Sequence, residues 1–334
     1  MAFTQTEIDL LNGTVTVGGI LSVCGCLFLV GSAIYFRKLR HSYWRAVVVL
    51  ALWDGLTAAT FVMSSLPALA QWDLFGPNAC QLQGVLLELF VMLSNCYTFY
   101  VALVLYLIVV KRKEAQLLSG LFEIMYFAFV ATAAATMSLI PLYEVNGLKY
   151  TAGLGWCWVP AKPTYGRFVM NYVWVWTAIL SIIIFYFLIL RHIRREMVAE
   201  KINAPLSEIA TGRLIEKRSL HTRQLFLYPL IYIVLWTPAT INRVLEAQEI
   251  ELYFMSLLEA GFLPLQGILN TCIYLFTSGI YRDILHVFWR RRLYRSLYAV
   301  SVDFAVPPLY DTDDDSDDAA TSLRRQDPRA CCFT

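Results

Sequence analysis

Charge is scarce in this chain: Asp, Glu, Lys and Arg supply 16% of its 334 residues, while apolar residues supply 58%. Water-soluble domains sit nearer a quarter charged and half apolar, so a soluble globule of this composition would expose apolar surface that one core cannot absorb. The mean hydropathy of +0.56 carries the same message. Histidine is scarce too. His41, His192, His221 and His286 are the whole set, none lies in a long apolar run, and neither H-E-x-x-H nor G-x-S-x-G occurs. That excludes the usual zinc and serine chemistries. Eight cysteines, with no C-x-x-C pair, are too few and too scattered for a disulfide framework or a structural zinc. No catalytic set, metal site or cofactor is expected, and no nucleic-acid partner. Met1–Leu11 lacks the basic start of a secretory signal and carries Glu7 and Asp9. The first apolar stretch is therefore expected to act as an uncleaved insertion signal.

What the chain has instead is long apolar runs. A helix needs about 20 mostly apolar residues to cross the hydrocarbon, because its backbone groups must be satisfied within the segment. Seven stretches qualify: Val15–Phe36, Arg45–Leu69, Gln83–Val110, Leu117–Leu142, Phe168–Leu190, Gln224–Leu245 and Leu252–Phe276. The expected fold is an all-α membrane protein, a seven-transmembrane helix bundle over 15–276. A short extracellular N-terminus (1–14) precedes it. An amphipathic cytoplasmic helix (279–300) and a disordered acidic tail (301–334) follow, the tail carrying the aspartate run 311–318. Lys and Arg set the orientation. Arg37, Lys38, Arg40, Lys111, Arg112 and Lys113 fall on one side, with a dense group in the 5–6 loop from Arg191 to Arg223 and another after the seventh helix. The opposite side has only Lys149, Lys162, Arg167 and Arg243. The N-terminus is expected outside, with membrane lipid as a partner throughout.

Particular residues carry more than topology. Cys80, at the outer start of the third helix, and Cys157, in the outer 4–5 loop, both face an oxidising compartment, and a disulfide between them is expected. Asn12-Gly13-Thr14 is a glycosylation sequon on the outer side. Inside the membrane, Asp54, Asn95 and Asn270 suggest a polar network, with Tyr274 one turn beyond Asn270; the same residue types also serve as packing glue between helices. Trp236-Thr237-Pro238 puts a proline kink in the sixth helix. At the outer rim, Arg243, Asn242, Lys149, Lys162, Arg167 and Trp158, with Glu88 below, suit a ligand bearing an anionic group and a flat ring. The alternative is that the rim cations pair with acids such as Glu246 and Glu249. The long basic 5–6 loop extends two helices and offers a docking groove to a cytoplasmic partner. Cys331 and Cys332, near the C-terminus, are candidate lipidation sites.

The 4–5 loop reads Gly155-Trp156-Cys157-Trp158. The sixth helix reads Tyr228-Pro229-Leu230, Trp236 and Thr240-Ile241-Asn242-Arg243, and the seventh reads Leu265-Gln266-Gly267-Ile268-Leu269-Asn270-Thr271-Cys272-Ile273-Tyr274. In these segments the chain resembles the cyclic-AMP-receptor-like family, class E of the G-protein-coupled receptors, and its plant-type relatives. The resemblance covers roughly 15–295. It implies a receptor that binds an extracellular ligand, with cyclic AMP the best-known one there, and engages a heterotrimeric G protein. The chain departs from the commonest receptor class: no Asp-Arg-Tyr triplet ends the third helix, and Thr271 stands where proline is usual. A retinal protein is excluded because Leu252–Phe276 holds no lysine for a Schiff base. A transporter using Asp54, Glu88 and Glu259 as an ion or proton path is the competing reading.

Overall fold

The computed structural model describes residues 3–37, 42–70, 76–111, 120–153, 155–160, 164–203, 227–278 and 281. They form a seven-helix bundle. The first four helices are Gln5–Tyr35, Ser42–Leu69, Pro77–Val109 and Gly120–Leu139. The fifth joins Thr164–Arg167, a π turn at Phe168–Tyr172 and Val173–Asn203. The sixth is Leu227–Ala247. The seventh is Tyr253–Phe262 and Gln266–Ser278, interrupted by a 3₁₀ turn at Leu263–Leu265. Six of these are apolar enough to cross a membrane on composition alone. The sixth falls short because two prolines, Asn242 and Arg243 dilute its apolar run.

The helices differ from soluble ones in which face is buried. The first hides Asn12, Thr16, Gly18, Gly19, Ser22, Gly25 and Ser32, and turns Val17, Leu27 and Ile34 outward. Lipid is as apolar as leucine, so small and polar residues face the neighbours and backbones approach closely. A Cβ on Gly19 would lie 2.6 Å from Val62 Cγ2 and 3.1 Å from the Ala58 carbonyl. One on Gly267 would lie 2.7 Å from Cys26 Sγ. The first helix thereby packs against both the second and the seventh and closes the ring. The third helix is its axis: 67% of its apolar window is buried, against 22% for the fourth, which mostly faces outward.

Pro264 opens the seventh helix, and Ser22 repairs the break. Its hydroxyl donates to the Pro264 carbonyl and accepts from the Ile268 N–H at 3.1 Å. Both backbone groups would otherwise be orphaned away from water.

Two boundaries differ from expectation. The first helix starts at Gln5, where Thr4 and Glu7 form a capping box. Its 31 residues span about 46 Å against about 30 Å of hydrocarbon, so most of the expected N-terminal segment is helix standing beyond the bilayer. The fifth helix runs on to Asn203, past the expected Leu190. The Asn12 sequon is a correction. Asn12 lies inside the first helix at 4% exposure, where an exposed acceptor was expected. The expected helix 279–300 apart from Tyr281, the tail 301–334, Cys331, Cys332, Lys162 and most of the 5–6 loop lie outside the described residues.

Candidate functional site

At one end of the bundle a short hairpin lies across the helices. Thr151–Ala152 (β1) pairs antiparallel with Cys157–Trp158 (β2), and the turn uses Gly155 at φ +88°, a conformation open to glycine. Three ties hold it to the bundle. Cys80 and Cys157 form a disulfide. Gln83, fully buried, accepts from the Cys157 N–H at 2.8 Å and donates to the Thr60 carbonyl at 3.2 Å. Ser64 donates to the Gly155 carbonyl at 2.9 Å. Gly84 lets the Tyr150 ring lie flat on the third helix.

Beneath the hairpin is a cavity of about 500 Å³, walled by Trp156, Trp158, Arg167, Asn242, Arg243, Glu246 and Glu259 among others. Its two arginines are both bonded to glutamates. Arg243, 7% exposed, bonds Glu246 and Glu259 at 2.5 Å each. Arg167 pairs with Glu246 and donates from Nε to the Val159 carbonyl at 2.7 Å. Asn242 donates to Glu259 at 2.6 Å. Both guanidiniums sit over Trp158, at 5.3 Å for Arg167 and 5.7 Å for Arg243. The Trp158 indole N–H donates to Glu88 at 2.8 Å.

A second chamber, about 30 Å³, shares Trp156, Trp158 and Glu259 with the first and adds Glu88, Tyr172 and Trp236. A third, also about 30 Å³, shares Phe61, Val91, Trp236 and Leu263 with the second and ends on Asp54. Asp54 joins three helices. It accepts from Ser94 at 2.5 Å, from Gln266 at 2.8 Å and from Asn270 at 2.7 Å. Gln266 in turn accepts from the Trp236 indole at 3.3 Å.

The structure thus brings Arg243, Asn242, Arg167, Trp158 and Glu88 together, and Asp54 with Asn270. Three expectations need correction. Lys149 is exposed on the 4–5 loop and is not on the cavity wall. Asn95 is not bonded to Asp54: it accepts from Tyr232 at 3.0 Å and donates to Asn171 at 3.4 Å, one layer away. Tyr274 packs edge-on against Trp44 and makes no bond to Asp54. Sequence reasoning passed over Ser94, Gln83 and Ser22, whose hydroxyls and amide look unremarkable in an apolar helix. It named Gln266 without a role and placed Glu259 only in a transport path. The signal was available in Glu259 and Arg243, the charged pair that two neighbouring helices carry at a similar depth.

The comparisons with known proteins agree with this architecture. The Git3 family, described as "G protein-coupled glucose receptor regulating Gpa2", matches residues 10–199, and the C-terminal part of the same receptors matches residues 215–283. G-protein coupled receptor 1 of Arabidopsis thaliana is 26% identical over 303 residues, covering 88% of this chain and 87% of the relative. G-protein coupled receptor 157 of Homo sapiens is 26% identical over 231 residues, 67% of each chain. The crystal structure of squid rhodopsin matches with a TM-score of 0.70 at 15% identity, over 85% of this chain and 81% of that one.

Proposed function

The chain belongs to the Git3 family of G-protein-coupled receptors, and on that footing we propose that it carries an extracellular small-molecule signal across the plasma membrane to a heterotrimeric G protein. The hairpin and N-terminus lie outside in this reading, as the Lys/Arg asymmetry of the loops requires. The basic 5–6 loop faces the G protein.

The cavity of about 500 Å³ under the hairpin carries the proposal. It is of ligand size and combines aromatic walls with a few convergent polar groups. Its charge balance bears on the ligand. Two arginines, Arg167 and Arg243, face four glutamates, Glu246, Glu249, Glu251 and Glu259. An anion would enter a cavity with an excess of carboxylates, where both terminal nitrogens of Arg243 are already bonded to glutamates. An uncharged, hydroxyl-rich molecule of the hexose class meets no such conflict: its C–H faces suit Trp156 and Trp158, and its hydroxyls suit the carboxylates. Glucose is what the family's description names. The finer class, cyclic-AMP-receptor-like, and a cyclic AMP ligand form a second reading. It is favoured by the two guanidiniums stacked on Trp158. The element we propose the ligand to bias is the Trp236–Gln266–Asp54 chain, with the Pro238 kink beside it. The shared walls of the three chambers support that route.

GTP exchange on a panel of Gα subunits, in membranes expressing the chain, tests all of this. Stimulation by glucose and not by cyclic AMP is the expected outcome. Stimulation by cyclic AMP alone would replace the hexose with the second reading. Failure on every Gα, from verified folded protein, would refute the receptor reading. Flux through the Asp54, Glu88 and Glu259 path would then be the next assay.

A further inference from the structure

We propose that Glu88 Oε1 and Arg243 Nε are two atoms that read the ligand, Glu88 from the inner chamber and Arg243 from the outer cavity, and that the groups they read are hydroxyls. The inference rests on the hexose reading above and narrows it to atoms.

Among the buried side-chain atoms without a hydrogen-bond partner in the described residues, one belongs to a carboxylate and one to a guanidinium. They are Glu88 Oε1 and Arg243 Nε. Glu88 is 1% exposed, and its other oxygen is held by the Trp158 indole at 2.8 Å. Arg243 has both terminal nitrogens committed to Glu246 and Glu259. Its guanidinium carbon lies 5.7 Å from the centre of the Trp158 ring. One tryptophan therefore touches the side chains that carry both unused atoms. Glu88 lines the small inner chamber, and Arg243 lines the large outer cavity whose walls that chamber shares.

Buried polar groups are nearly always satisfied, and an orphaned charged one needs an explanation. The chemistry restricts what fills these two. Oε1 accepts and Nε donates. A ligand offering only acceptors, such as a phosphate or a carbonyl, would serve Nε and leave Glu88 Oε1 unserved. An ammonium would serve Glu88 but would meet the positive charge of Arg243. A polyhydroxyl molecule serves both, one hydroxyl donating to Oε1 and another accepting from Nε. The inner chamber, about 30 Å³, admits a group about the size of one water, so a single hydroxyl enters while the body of the ligand stays in the outer cavity.

Glu88→Gln is the test, because its carbonyl still accepts from Trp158 while its NH₂ replaces the unused acceptor with a donor. The variant should reach the surface and melt no lower than the parent. Its glucose potency in GTP exchange should fall about tenfold to hundredfold, the value of one hydrogen bond to a charged group. In a monodeoxyglucose panel, one analogue should be weak on the parent yet equal to glucose on the variant, since its missing hydroxyl is the one Glu88 reads. Unchanged glucose potency would overturn the proposal. So would a melting temperature several degrees lower, which would mark Glu88 as structural. If the parent responds to no sugar in the panel, the hexose reading fails by itself. Melting then decides Glu88: an undiminished value sustains a ligand-reading acceptor, and a fall overturns it.

Discussion

Arg243→Ala should be among the most destabilising single changes in the bundle, and the reason is what it leaves behind. Glu259 is 2% exposed and is held by the Arg243 guanidinium at 2.5 Å and the Asn242 amide at 2.6 Å. Without Arg243 its charge keeps one neutral donor. Breaking a buried pair from one side costs about 3–5 kcal/mol, which lowers melting by roughly 5 °C for a chain of this size. Glu246 suffers less, because Arg167 still pairs with it. Glu259→Gln is milder: it keeps an acceptor for Asn242 and Arg243, and Arg243 keeps Glu246, so about 1–2 kcal/mol is expected. The informative variant is Arg243→Met combined with Glu259→Leu. It removes both charges and fills their space, and should melt above Arg243→Ala alone, since a pair replaced by apolar groups is often neutral. Tryptophan-fluorescence melting of the detergent-solubilised receptor reads all three. If Arg243→Ala melts within about 2 °C of the parent, or the double variant melts below it, the interlocked charge cluster is not what holds this end of the bundle.

Other outcomes follow from single contacts. Cys80→Ser removes a cross-link spanning 77 residues, worth at most about 4.5 kcal/mol in chain entropy; Gln83 still ties the hairpin, so the protein should fold while ligand potency falls, and unchanged potency would mean that the cavity does not depend on the disulfide holding the hairpin in place. Ser22→Ala strands the Pro264 carbonyl and the Ile268 N–H and should cost about 1–3 kcal/mol, read as a lowered melting temperature. Asp54→Ala leaves Ser94, Gln266 and Asn270 without their shared acceptor, and should lower melting by more than Asn95→Ala does. Gly19→Leu drives a side chain into Val62 and the Ala58 carbonyl, and surface expression should drop sharply.

The fold was legible because the bilayer imposes a simple constraint: long apolar runs read directly as crossings. Helix ends were less legible where nothing apolar marks them. Thr4 and Glu7 cap the first helix in a polar segment, and a hydropathy reading stops at Val15. The disulfide was legible from position, as was the gathering of Arg243, Asn242, Arg167 and Trp158. Which charge meets which was not. Glu246 and Glu249 stood as equal candidates for pairing the rim cations, whereas Glu246 bridges Arg167 and Arg243 and Glu259, from another helix, is the deeper partner. Periodicity places a residue on a face, but pairing across helices depends on depth and rotation, which the sequence does not encode locally. Asn95 illustrates this: it lies next to Ser94, yet one residue of rotation sends it to Tyr232 and Asn171 instead of Asp54.

The seventh helix joins the two polar regions, and its break falls between them. Glu259, in the upper segment, belongs to the cavity under the hairpin. Gln266, first residue of the lower segment, bonds Asp54, Ser94 and Trp236. Leu263, in the 3₁₀ turn between the segments, lines both inner chambers. On the proposed function, a ligand that alters the Arg243–Glu259 contact acts on the upper segment. The turn is where that displacement can be taken up, since a helix lacking one of its own hydrogen bonds bends at that point. A ligand shifts the receptor only as far as it binds the two arrangements differently. On that proposal the Ser22 hydroxyl, which bridges the turn, opposes the displacement. Ser22→Ala should raise basal exchange as well as lower stability, and a stability loss with unaltered basal exchange would confine the break to packing.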